Sequence, residues 1–275
     1  MKKILYFFGT LFLTVSMVHC SGTSLVDQFA ASQAETAGAI NILALQHDRN
    51  GEEVEANPDG SKTFTNDLGY EVILDMGHLH FHSIKLISEG EDPRCFGGMD
   101  QTISLHHDRN LLGEDLLTHN LATAVIPMTF YCSFEITLGS DGDHALKFAH
   151  GDEGEESAEI AADAFHVMGT WSKDGDSGSF ELTGTDPVMV SHKFKTKEND
   201  EVIEHPVHFH EGETVIEVLI GTKYDLAFDG VDFKIQMEDE QIDTIYGNLG
   251  TAVHQHTGDH HGSAGHDDGN DHDHP

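Results

Sequence analysis

Apolar and polar residues alternate along most of the chain in short runs: "INILALQ", "YEVILDMGHLHFHSIKLIS", "ATAVIPMTFYCSFEITL", "AFHVMGTW", "SFELTG", "VMVSHKFK", "TVIEVLI" and "VDFKIQM". A period of two places one set of side chains on each face of a strand. Between the runs stand "NPDGS", "GSDGDH", "KDGDSGS", "KEND" and "FDG", which carry the Gly, Asn and Asp that tight turns need. The pattern predicts an all-β fold: an antiparallel β-sandwich, with a barrel-like closure as the variant. Helical signal is thin, one short helix each being compatible with residues 111–125 and 155–167. From Gly247 onward no hydrophobic period is visible, and residues 251–275 read as a disordered tail. "QHDRN" at 46–50 and "HHDRN" at 106–110 echo each other without similarity around them, which suggests a turn used twice.

The chain then divides into residues 1–20 as an export signal, 21–37 as a flexible tether, 38–250 as the sandwich and 251–275 as the tail. Lys2 and Lys3 precede the apolar run "ILYFFGTLFLTVSMV", which is short for a membrane span. With Cys20 and "SGTS" behind it, this segment resembles the signal of bacterial lipoproteins, in which the cysteine is acylated. Met17, Val18 and His19 depart from that family's preferred residues. The resemblance implies a lipid anchor on Cys20 and an outer-membrane, periplasmic or cell-surface location. An ordinary signal peptide cut near Cys20 is the alternative, and both predict export. In an oxidising compartment Cys95 and Cys132 then form a disulfide most simply, with thiolate metal ligands as the other use.

A formal net charge of −35 excludes nucleic acid and anionic membrane surfaces as partners and favours cations. The candidate ligands are histidines. His78, His80 and His82 in "HLHFH" share one face of an extended strand, and Leu79 and Phe81 the other. In a regular strand the histidine face continues into Ile84 and Leu86, towards the core; a bulge at Gly77 would turn it outward. His208 and His210 repeat the spacing, with His205, Glu211 and Glu213 near. A site of three or four nitrogens with a carboxylate would follow if the two segments were neighbours. In the tail, His254, His256, His260, His261, His266, His272 and His274 are interleaved with five aspartates and small spacers, a ligand set for zinc, nickel or copper(II). Met76, Met99, Met128, Met168, Met189 and Met237 are dispersed, unlike the clusters of a copper(I) carrier.

Three enzyme families share fragments with this chain. "PVHFHEGETVIEVLIG" is similar to the first metal motif of the cupins, although Thr214 stands at the glutamate position and no second motif follows. HxH pairs on an exported sandwich with one disulfide resemble the Cu/Zn superoxide dismutases, but Pro206 and Met76 replace the expected small residue. "GDSGS" at 175–179 is similar to the serine-protease nucleophile loop without that family's histidine motif, and reads as a hairpin turn. Enzyme readings therefore rank below binding. The sequence points to an exported, lipid-anchored binder of transition-metal ions, zinc first with copper(II) or nickel as alternatives. It would act as a scavenger, buffer or delivery partner for an unidentified transporter or receptor. The competing reading is a surface module that binds a protein or glycan and carries an incidental tail.

Overall fold

The computed structural model describes residues 37–95, 98–140, 163–198 and 201–255. Its strands are β1 (Ala37–His47), β2 (Lys62–Thr65), β3 (Glu71–Ile87), β4 (Gln101–Asn110), β5 (His119–Pro127), β6 (Ser133–Leu138), β7 (Phe165–Lys173), β8 (Asp176–Gly184), β9 (Val188–Lys193), β10 (Lys195–Glu198), β11 (Glu201–Glu204), β12 (Val215–Lys223) and β13 (Val253–Gln255). One helix, α1, spans Glu238–Ala252. Two sheets pack as a sandwich, without closing into a barrel. One sheet runs β13-β12-β1-β5; the other runs β8-β7-β3-β6-β9, with β2 and β4 also paired to β3. All pairings are antiparallel except β1 with β12.

The core follows the alternation. Ile40, Ile42 and Ala44 of β1 and Ile216, Val218 and Ile220 of β12 join Val72, Leu74, Leu79, Phe81, Ile84 and Leu86 of β3 in one buried cluster. β3 does not keep one parity: its buried apolar side chains are even at 72 and 74, odd at 79 and 81, and even again at 84 and 86. Two breaks in register cause the switches, one between Leu74 and Met76 and one between Phe81 and Ser83. The regular-strand expectation that the histidines share the core face is corrected by this. Leu79 and Phe81 face the core, and His78 and His80 lie on the opposite side of the sheet. The bulges flank the position anticipated at Gly77 rather than occupying it.

Disulfide Cys95–Cys132, with Cα atoms 6.0 Å apart, ties the β3–β4 connection to the start of β6. Asp174 and Gly175, both at positive φ, form the two-residue turn of the β7–β8 hairpin. "GDSGS" is thus hairpin. Near the end of β1, Lys62 is buried in an ion pair with Asp115, which also accepts from the Tyr224 hydroxyl at 2.9 Å. Burial and this carboxylate push the Tyr224 phenol far up, so it stays protonated.

Several local expectations are overturned. Residues 111–118 are turns and 119–127 are β5, with no helix; Leu116 takes φ 60°, which a helix cannot accommodate. From Phe165 the second proposed helix is β7, while residues 155–162 lie outside the described residues. "VDFKIQM" is not a strand: Val231 and Phe233 are buried, but Ile235 is 80% exposed. The tail boundary at 251 also moves. Gln241, Ile245 and Leu249, at four-residue spacing, and Ala252 bury one face of α1, and the chain continues into β13 through Gln255. Acidic residues in the first turn of α1 suit its N-terminal dipole. Among the described residues no helix is long and apolar enough to cross a membrane.

Candidate metal centre

At His80 the long strand β3 changes partner. Leu79 opposes Phe165 of β7, and Phe81 opposes Leu138 of β6. The seam is stitched through the histidine's own backbone: His80 N–H donates to the Ala164 carbonyl and Gly139 N–H donates to the His80 carbonyl, both at 3.0 Å. On the other edge β4 pairs with β3, so that His80 opposes Asp108. Between the Phe81–His107 and Ser83–Ser104 pairs, β3 has one residue, His82, and β4 has two, Leu105 and His106. This is a β-bulge, a device that re-aims side chains next to functional sites. His106 sits at its apex with φ 43°. Histidine is enriched several-fold in that left-handed region, but a non-glycine residue there still costs about 1–2 kcal/mol.

The bulge brings His80, His82 and His106 together, with one ring nitrogen of each within 4.8 Å of the others. Among the described residues this is the only such set of three or more His, Cys, Asp or Glu. The rings of His82 and His106 meet edge to face at 4.8 Å, and those of His80 and His82 are 6.4 Å apart. On a tetrahedral zinc ion with Zn–N bonds of about 2.0–2.1 Å, ligand nitrogens stand roughly 3.3 Å apart. Small rotations of the three rings would close the difference.

His80 is the most constrained of the three. Its side chain is 2% exposed, and Nδ1–H donates to Asp108 Oδ1 at 2.7 Å. The contact with His80, more than any other influence, holds the Asp108 carboxyl below its usual range. Nε2 of the same ring is buried and has no hydrogen-bond partner. With the proton on Nδ1, Nε2 presents a lone pair. Leaving such an acceptor buried and unpaired costs about 1–3 kcal/mol. A carboxylate that fixes the tautomer of a metal-ligating imidazole is the usual outer partner of such sites. Next door, burial and the Arg109 charge lower the pKa of His107, which keeps a further positive charge away.

His82 also lines a cleft of ≈ 420 Å³ with Ser83, Thr137, Gly139, Pro187, Val188 and Met189. The other predicted ligands lie elsewhere. His78 is exposed and opposes His166 of β7. His208 and His210 are not beside β3, whose partners are β2, β4, β6 and β7; their segment is held by a Tyr131–Val207 bridge. There His208 packs on Phe130 at 4.6 Å and His210 on His208 at 4.4 Å, in a separate cleft with His205 and Glu213. His254 packs edge-on to His47 at 5.3 Å. Gly221 permits this, since a Cβ there would stand 2.7 Å from the His254 ring. His256, His260, His261, His266, His272 and His274, like Cys20, lie outside the described residues.

His106 was missed by sequence reasoning. "HHDRN" reads as a turn by its echo of 46–50 but is the second half of β4, and the alternation of Ile103 and Leu105 in "QTISLHH" is the sign of a strand that the sequence offers. Comparisons with protein-family models, curated proteins and solved structures find no match. The chemistry of the site therefore carries the functional reading.

Proposed function

We propose that this protein binds a transition-metal ion through His80, His82 and His106, zinc first, with copper(II) and nickel as alternatives. Asp108 orients the first ligand. The observation that carries the reading is the buried Nε2 of His80, which lacks a partner while its Nδ1 is held by a carboxylate. The left-handed backbone of His106 supports it, because strain at a cluster of ligands is where function is expected to concentrate.

In this reading the protein is exported, anchored through Cys20, and serves as a scavenger, buffer or delivery partner. The histidines and aspartates after Gln255 capture ions weakly and raise their concentration beside the folded site. The disulfide is compatible with an oxidising compartment. Competition titration with zinc tests the core of the proposal. His80→Ala and His106→Ala should each remove one tight ion from the full chain, whereas a wild type without a tight ion sensitive to either change contradicts it. Imidazole must be neutral to ligate, so affinity should fall as pH drops through about 6.5. Affinity unchanged from pH 7.5 to 5 would speak against histidine ligands.

The cleft beside His82 favours a second reading. Three histidines leave a fourth tetrahedral position, and catalytic zinc sites keep one such position open. Azide added to the cobalt(II)-loaded protein should change its visible spectrum if that position is accessible. An unchanged spectrum favours a closed storage or transfer site.

A further inference from the structure

A site whose key ligand is 2% exposed has to be loaded by an ion that arrives hydrated. The outer face of the β8-β7-β3-β4 region provides steps for that transfer. Between the two register breaks β3 is regular, so His78 and His80 stand on the same face, about 6.5–7 Å apart along the strand. His78 directly opposes His166 of β7, and cross-strand partners have Cβ atoms about 4.5–5.5 Å apart, close enough for two imidazoles to share one ion. Glu181 of β8 lies 3.2 Å from His166 Nε2. Asp108, opposite His80 on β4, lies on the inner side of the same row and also feels the field of His78.

The side chains are 65% exposed at Glu181, 33% at His166 and 45% at Asp108, and His78 is exposed as well, against 2% at His80. Solvent-facing donors thus stand directly beside a buried, unpartnered nitrogen.

We infer that His78 and His166, with Glu181 and Asp108 beside them, form an outer exchange position for a divalent cation on its way into and out of the His80–His82–His106 centre. The inference rests on the metal reading proposed above. An aqua ion trades water for the exposed imidazoles and carboxylates first, and then for His80. Because the outer position is a way station, removing it changes rates and leaves the final affinity alone.

Stopped-flow absorption with cobalt(II) on the full chain tests this. The signal of the inner centre is taken as the part lost in His106→Ala. Loading is followed on mixing apoprotein with cobalt(II), and release on mixing the loaded protein with EDTA. His78→Ala and His166→Ala should slow both processes by the same factor, roughly tenfold, the loss of a modest local-concentration gain. The equilibrium affinity should not change. Met168→Ala, an exposed neighbour on β7, should leave both rates untouched. Unchanged rates in the histidine variants, or a lower affinity with faster release, would overturn the inference while the His106-dependent signal remains. Absence of that signal in the wild type would instead defeat the metal reading, and the inference with it.

Discussion

Asp108 and His106 show what single residues contribute. Asp108 holds the proton on His80 Nδ1 and leaves Nε2 as an acceptor. Loss of such an orienting carboxylate typically weakens metal binding 10–100-fold. Asp108→Asn should therefore bind zinc about 10–100-fold more weakly without losing the ion altogether, as read by competition with a chromophoric chelator. No change would mean that the carboxylate is a bystander. At His106 two effects can be separated, since glycine tolerates φ 43° and alanine does not. His106→Gly should lose the ion and keep or gain fold stability in the apoprotein, whereas His106→Ala should lose the ion and retain the backbone strain. At this scale "HLHFH" was legible because spacing of two is visible in any strand. The third candidate ligand, His106, was not, because its place beside the other two depends on a bulge in β4 that pairs two residues against one.

Among elements, β3 organises the site. Its two register breaks invert the faces twice, so that Phe81 anchors the core one residue from a histidine that faces away from it. Phe81 is 0% exposed. Phe81→Ala should lower the unfolding free energy by about 3–5 kcal/mol in urea titration and loosen the metal site with it. Cys95→Ser with Cys132→Ser opens a loop with a sequence separation of 37 and should cost roughly 2–4 kcal/mol by the same measurement. β1, β7, β8 and β12 were legible because alternation runs through most of each strand, and β3 because its three short alternating stretches follow one another without a turn residue pair between them. α1 was not, because Gly247 and Gly250 on its exposed side lower its helix propensity and Gln241 occupies one of its buried positions. "VDFKIQM" imitated a strand with two buried residues that in fact cap the core from a turn.

For the molecule as a whole, pH sets the balance between neutral and charged histidines. Desolvation is the first cause that lowers the pKa of His47, His119 and His192 in the folded state. The unfolded chain, with ordinary values near 6.5, then binds more protons below that pH, so stability rises with pH through this window and falls as pH drops below it. Urea midpoints of the EDTA-treated protein should be lower at pH 5.5 than at pH 7.5. A higher midpoint at pH 5.5 would contradict burial of these rings in the neutral form. The carboxylates act in a different window. Asp100, lowered first by the Ser88 backbone N–H, keeps its contribution above the unfolded value near 3.8 and loses it only as pH falls through its lower folded value. The charge of −35 points to cations as partners, and the split into strand histidines and a histidine-rich C-terminal segment is read from the sequence too. Which histidines the sheet gathers is not, because it depends on the bulge between β3 and β4. Nor is the place where the two parts can be cut, after Gln255, since α1 and β13 occupy the residues just before.

Native mass spectrometry with zinc, on the full chain and on a chain ending at Gln255, tests the central claim most directly. The expected result is one ion retained by the shortened chain at limiting zinc and lost on His80→Ala. If every ion leaves with the residues after Gln255, the three histidines of β3 and β4 are no metal centre, and the sandwich serves another partner.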